Sequence, residues 1–230
     1  MLHTSDSEYV ELAREYLTEA FGGSYSYVVL RKDRRSDEAY VAMKASNLGG
    51  KEVIVKVKIH DRTLFSYSSS YSSNYLSVKF AEEEALYYED FFKKNFSDCK
   101  IKINNSIRFI DYPSQVLVED EETGKWIEAK RTVSFGNYLD IVNQYTFFNS
   151  FQIFVTDKQT NEYINSQDRL KATLNELEKE GIHLDGYFYI VDEIPEDKNF
   201  STSDLNCSFK ARLNAYNVDV SGYYYDFKKE

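Results

Sequence analysis

Three histidines, two cysteines and several runs of carboxylates are the groups in this chain able to do more than pack. His3, His60 and His183 are the acid–base candidates, and none stands in an HExxH or similar metal-binding spacing. Ile182-His183-Leu184-Asp185-Gly186 puts an imidazole and a carboxylate in one loop, as a general base oriented by an aspartate would require. The plainer account is a histidine favoured by a helix C-terminus, next to a turn aspartate. His60-Asp61 closes a strand, where neighbours point to opposite faces and do not cooperate. Cys99 and Cys207 have no second ligand at zinc spacing and no cysteine-hydrolase signature, so two buried thiols fit them better than one long-range bridge. The runs Glu82-Glu83-Glu84 and Glu119-Asp120-Glu121-Glu122 lack the alternating pattern of a calcium loop. Gly22-Gly23 and Gly49-Gly50 lack the helix start and Lys-Ser/Thr of a phosphate loop. No GxSxG is present. The sequence thus names no catalytic residue, metal or cofactor, and leaves a hydrolase only as a site assembled from distant residues around His60 or His183.

Binding chemistry has one candidate, the stretch Phe65-Ser66-Tyr67-Ser68-Ser69-Ser70-Tyr71-Ser72-Ser73-Asn74-Tyr75. Tyrosine offers a large amphipathic contact at low entropy cost, and serine adapts around it, as in many recognition loops. Tyr67, Tyr71 and Tyr75 are the anchors this reading assigns, with a protein or a glycan as partner. The competing account is a linker, or a strand whose tyrosines lie on the sheet. A second cluster, Tyr223-Tyr224-Tyr225 with Phe227, reads as packing of the C-terminal unit.

The net charge of −10 argues against a nucleic-acid partner, because that affinity rests on lysine and arginine neutralising phosphates. Lys51, Lys56, Lys58, His60 and Arg62 are the best local basic patch, but Lys56, Lys58 and His60 alternate as the solvated face of one strand. No apolar run is long enough for a transmembrane segment, and the N-terminus lacks a signal-peptide pattern. The start Met1-Leu2-His3-Thr4 fits either a natural beginning or a removed leader.

These residues must be positioned by elements that hydrophobic spacing marks out. Ser5 and Glu8 make a capping box, Tyr9, Leu12, Ala13, Tyr16, Leu17 and Ala20 make one helical face, and Gly22-Gly23 stops it. Three strands follow, over 25–30, 38–45 and 51–59; in the third, Val53, Val55, Val57 and Ile59 share a face. One long helix is expected over 74–95, with Leu76, Phe80, Tyr87, Tyr88, Phe91 and Phe92 inward and Glu82, Glu83, Glu89 and Lys93 outward. Beyond Ser97 come strands over 100–104, 108–110, 115–119 and 125–133, a helix over 137–144, a strand over 151–156, a helix over 166–180, a strand over 187–191 and a strand-like tail over 207–227. The fold class is α+β in two abutting units. Residues 1–97 form a helix, an antiparallel three-stranded meander and a helix; residues 98–230 form a second, mixed α+β unit.

The order of an amphipathic helix, the Phe21-Gly22-Gly23 stop, three strands and Asn74-Tyr75-Leu76 opening an aromatic, acidic helix resembles small exported or lipid-anchored proteins of Gram-positive bacteria with cystatin-like sheets. The resemblance spans about the first hundred residues as a pattern and brings no catalytic residues. It implies a cell-envelope or extracellular location with a leader removed, and a non-enzymatic binding or accessory module. The alternatives are a cytoplasmic immunity-type or inhibitor protein whose acidic surface caps a basic partner, and the assembled-site hydrolase.

Overall fold

The computed structural model describes residues 5–33, 38–62, 67–112, 115–119, 126–130, 133–144, 150–157, 163–196, 200–214 and 217–223. In chain order its elements are α1 (Asp6–Phe21), β1 (Tyr25–Lys32), β2 (Glu38–Ala45), β3 (Lys51–Arg62), β4 (Tyr67–Ser73), α2 (Tyr75–Lys79), α3 (Ala81–Lys93), β5 (Asp98–Ile103), β6 (Gln115–Glu119), β7 (Trp126–Lys130), α4 (Phe135–Val142), β8 (Phe151–Thr156), α5 (Tyr163–Lys179), β9 (Gly186–Val191), β10 (Cys207–Asn214) and β11 (Asn217–Tyr223). The fold is α+β. Among the described residues no helix is long and apolar enough to cross a membrane.

The chain divides into two compact units, Met1–Lys79 with Asn105–Ser134, and Phe80–Asn104 with Phe135–Glu230. This differs from a single cut near Ser97, and the reason lies in the segment expected to be one helix. The helix breaks at Phe80 (φ −99°, ψ 8°). Before the break, Tyr75 and Leu76 are buried in the first unit; after it, Tyr88, Phe92 and Phe96 belong to the core of the second. A single amphipathic stripe therefore serves two cores.

In the first unit β1 to β4 form an antiparallel meander in sequence order. The fourth strand is an addition to the expected three, supplied by the Tyr/Ser stretch. Ala39, Val41 and Met43 of β2 stand opposite Val57, Val55 and Val53 of β3, all buried, on the face covered by α1. Serine at the α1 N-cap accepts a hydrogen bond from the Glu8 N–H (3.2 Å), and Gly22, at φ 65°, ends the helix as its N–H reaches Thr18 O. β6 and β7 pair as a separate antiparallel hairpin, Gln115 opposite Lys130.

The second unit is built on a five-stranded sheet of order β11-β10-β9-β8-β5, antiparallel except for the parallel pair β8/β9 that α5 connects. Ile101, Ile153, Val155, Phe188, Ile190 and Phe209 meet Phe92, Leu170 and Leu177 of the helices α3 and α5 in its main core. Phe154, Tyr189 and Val191 face the other way, beneath Ile194, Phe200 and Leu205 of the segment after β9. Glu89, expected on the solvent side of its helix, is instead buried. It accepts a hydrogen bond from the Ile101 N–H (2.9 Å) of the outermost strand β5, and Lys93 and Lys100 balance its charge at 3.3 and 3.5 Å. A buried carboxylate thus satisfies part of an otherwise open sheet edge.

Gly186 opens β9 where the chain passes very close to β8. A Cβ there would stand 2.0 Å from the carbonyl oxygen of Phe151. No rotamer relieves a clash with backbone. Gly186→Ala should lower the stability of this unit by about 3 kcal/mol or more, among the large single-residue losses. Gly136→Ala, whose added methyl meets nothing within 4 Å, should change it by less than about 1 kcal/mol and in the stabilising direction. Urea unfolding followed by circular dichroism measures both; equal effects would contradict the close approach.

Candidate functional site

The parallel register of β8 and β9 sets Thr156 opposite Val191 at their carboxyl ends. The residues that follow, Asp157 and Asp192, leave the sheet at the same end. β5 starts there too, because it is antiparallel to β8: Asp98 is opposite Thr156, and the Ser97 N–H donates to Thr156 O (3.1 Å). The start of β10 completes the group, with Ser208 at an irregularity between Cys207 and Phe209. Four strands thereby surround a cleft of about 470 Å³, with Ile190, Val191 and Ile194 as its apolar wall and Asp98, Asp157, Asp192 and Glu193 as its charged lining. An adjoining hollow of about 470 Å³ shares Asp192 and Glu193 and runs past Pro195 and Leu205. The carboxyl ends of parallel strands are a recurrent place for ligands in open sheets, and the volume is that of a small-molecule or side-chain pocket.

The four carboxylates are not equivalent. Asp157 is 8% exposed and is held from behind by Arg169 and by the Ser166 hydroxyl, which donates to it at 3.0 Å. Arg169 is itself fixed, donating to the Asn95 carbonyl (3.2 Å) while its guanidinium lies 5.2 Å from the Phe96 ring centre. Asp98 accepts the Cys99 N–H (2.8 Å). Asp192 and Glu193 are exposed, and among the described residues neither they nor Asp98 has an ion-pair partner. No lysine, arginine or histidine lines the cleft among the described residues. Its field is negative, and hydroxyls of Ser97, Thr156 and Ser208 stand beside it. Such a lining attracts an ammonium or guanidinium group. Among the described residues no group of three or more His, Cys, Asp and Glu is arranged to hold a metal ion.

The tyrosines singled out in the sequence do not form one exposed surface. Tyr75 is 3% exposed, and its ring stacks on Phe21 with centroids 4.0 Å apart, so it is a core residue and not a contact anchor. Tyr71 is half-buried, stacks on Tyr16 of α1 (5.1 Å), and shares a 2.6 Å hydrogen bond with Ser69. The backbone of Tyr67 pairs with Arg62, and its side chain lies outside the described residues. The alternation of β4 explains this: Ser69, Tyr71 and Ser73 take the α1 side, opposite Ile59, Val57 and Val55. Burial pushes the Tyr16 phenol up to about 12 and raises those of Tyr25 and Tyr75, so the cluster is uncharged at physiological pH.

The remaining candidates disperse. His183 is exposed and precedes β9, at the end of that strand away from the cleft, while Asp185 is buried and its carbonyl accepts the Phe151 N–H. His60 is exposed and bonded to Ser70 (2.8 Å). The two thiols are free; burial raises both, and Cys207 donates to the Phe209 carbonyl. Glu84 is fully buried and accepts from the Tyr138 hydroxyl (2.5 Å). The acidic turn after Glu119 and the tail after Tyr223 lie outside the described residues. Two members of the basic patch, Lys56 and Lys58, are bridged by Glu38 at 3.0 and 3.3 Å.

Sequence reasoning passed over the cleft, although one signal marked it. Two apolar strands separated by a helix, each followed at once by aspartate, read as a βαβ unit with acids at its ligand-binding end. No family model matches this chain, and no curated protein does. Among solved structures it is similar to a DUF5037 family protein from Ruminococcus gnavus ATCC 29149, 11% identical over 78% of this chain and 73% of that chain, with a TM-score of 0.34. A likeness of that size carries no argument about the site.

Glu38 offers a pH test of this sheet face. Its hydrogen bond from Lys56, aided by Lys58, holds its carboxyl below the ordinary 4.5. A lowered folded value means stabilisation that is complete above 4.5 and lost as pH falls through that lowered value. Glu38→Gln should therefore be less stable than the parent near neutral pH, and the gap in thermal midpoint should close in acid. A gap that persists in acid would show that packing, not charge, is at stake.

Proposed function

We propose that this chain is a non-enzymatic binding module and that the acidic cleft at the carboxyl ends of β8 and β9 receives a lysine or arginine side chain of a partner protein. The observation carrying this reading is a set of carboxylates without an ion-pair partner among the described residues, Asp98, Asp192 and Glu193, gathered in a cleft whose fourth acid, Asp157, is already neutralised from behind. An isolated acidic turn would be solvated; here four strand ends converge on the charge.

The location we propose is the bacterial cell envelope, supported by the pattern of the first hundred residues. The same carboxylates also favour a second reading, an intracellular immunity-type protein capping a basic partner. The native sequence upstream of Met1 separates the two, since a lipid-attachment cysteine there belongs only to the first. The hydrolase reading is weakened because His60 and His183 are exposed and neither lines the cleft.

An arginine-rich peptide amide titrated calorimetrically into the protein provides the test. Asp192→Asn with Glu193→Gln should weaken binding by roughly tenfold, about 1.4 kcal/mol, and raised salt should weaken the parent's binding. Glu15→Gln with Glu19→Gln, removing two exposed charges from α1, should leave it unchanged. Equal losses from both double variants would reduce the effect to overall charge and sink the assignment.

A further inference from the structure

Register places Gln152 of β8, Tyr187 of β9 and Arg212 of β10 side by side in one row across the five-stranded sheet. The next residue on each strand, Ile153, Phe188 or Ala211, is in the core under α3 and α5 or its strand neighbour there, so the row faces the other way. The segment carrying Phe200 covers the part of that back face towards the acidic cleft, over Phe154 and Tyr189. The row stands two residues further from the cleft. Arg212 is exposed there, and Gln152 and Tyr187 are half-buried.

Positive charge on this face is not neutralised. Lys210, two residues before Arg212 and on the same side of β10, holds its ammonium over the rings of Tyr187 (4.7 Å) and Tyr189 (5.5 Å). An aromatic face attracts an ammonium group and leaves its charge intact. Among the described residues neither Lys210 nor Arg212 has a carboxylate partner, although the chain carries a net charge of −10. Two neighbouring cations, one of them a guanidinium able to pair a carboxylate through two parallel hydrogen bonds, make a seat for an anion. Lys102, opposite Gln152 on β5, takes no part, because it donates to the Phe200 carbonyl and lies over the Phe200 ring.

The surroundings of the two cations select among anions. β8, β9 and β10 are each paired on both sides, so their backbone is occupied, and a peptide strand docks through backbone hydrogen bonds at an open edge. Nucleobases stack on bare aromatic faces, and here the Lys210 ammonium stands over the rings of Tyr187 and Tyr189. What the row offers is a flat array of side-chain donors and acceptors, stepped by about 4.8 Å from strand to strand. Among the described residues the Gln152 carboxamide and the Tyr187 hydroxyl have no hydrogen-bond partner in the chain. Such an array matches a chain of hydroxyls that bears carboxylates. We propose that this back face binds an acidic oligosaccharide, its carboxylates held by Lys210 and Arg212 and its hydroxyls by Gln152 and the Tyr187 phenol.

Calorimetric titration of the 230-residue chain with hexagalacturonate tests this. Binding should weaken as salt rises, and maltohexaose, an uncharged hexasaccharide, should bind far more weakly. Lys210→Gln with Arg212→Gln should weaken hexagalacturonate binding by roughly tenfold or more, and Tyr187→Phe, which removes only the hydroxyl, by about threefold. Should the double variant lose the parent's circular dichroism, Arg212→Gln alone, at an exposed position, carries the comparison. Asp192→Asn with Glu193→Gln should leave the titration unchanged, which separates this face from the acidic cleft. No binding at millimolar hexagalacturonate, equal binding of maltohexaose, or full binding by the folded Lys210 and Arg212 variants would each overturn the proposal. Tighter capture of oligothymidylate or polyglutamate through the same two cations would overturn it in favour of a nucleic acid or an acidic peptide.

Discussion

The pairing of β8 with β9 is the contact from which the second unit takes its form. Among the described residues it is the one parallel pair in its sheet, and a parallel pair requires a crossover, which α5 supplies. The crossover lays Leu170 and Leu177 on one face of the sheet, where they meet Phe188 and Phe92. Each such side chain removed from water contributes about 2 kcal/mol. The pairing begins where Gly186 passes Phe151 with no room for a side chain, and that start sets the register. Register then decides the other end: six residues on, both strands stop together and release Asp157 and Asp192 into the same cleft.

Two of the carboxylates buried in the second unit are matched by cations. Asp157 takes Arg169 and Ser166, and Glu89 takes Lys93, Lys100 and the Ile101 N–H. Stripping Arg169 from the buried Asp157 costs about 3 to 5 kcal/mol, although the pair as a whole contributes far less than that to stability. Their role is specification. Arg169 ties α5 to the end of β8, and Glu89 ties α3 to β5. With Asp157 neutralised from behind, the negative field of the cleft falls to Asp98, Asp192 and Glu193, which a visiting cation can reach.

Much of this architecture was legible. The valine alternation of β3, the caps of α1 and the leucine spacing of α5 each express one local rule, and the elements formed where those rules point. What escaped was information held between elements. A helix pattern running through Phe80 does not say that its two halves belong to different cores. Glu89 has the same spacing as a solvated glutamate, and only the position of β5 makes it a buried acceptor. The tyrosines misled for a related reason: Tyr75 has the composition of a contact residue, yet Phe21, fifty-four positions earlier, takes its ring into the core. The cleft exists only once the parallel register brings two distant aspartates together.

A cationic ligand that binds this chain should touch it at the acidic cleft. Backbone amide shifts recorded by nuclear magnetic resonance during titration with an arginine-rich peptide amide answer that directly. The largest changes should fall on Asp98, Asp157, Asp192 and Glu193 and their neighbours at the ends of β8 and β9. Changes spread along the acidic face of α1, or centred on β4, would contradict it.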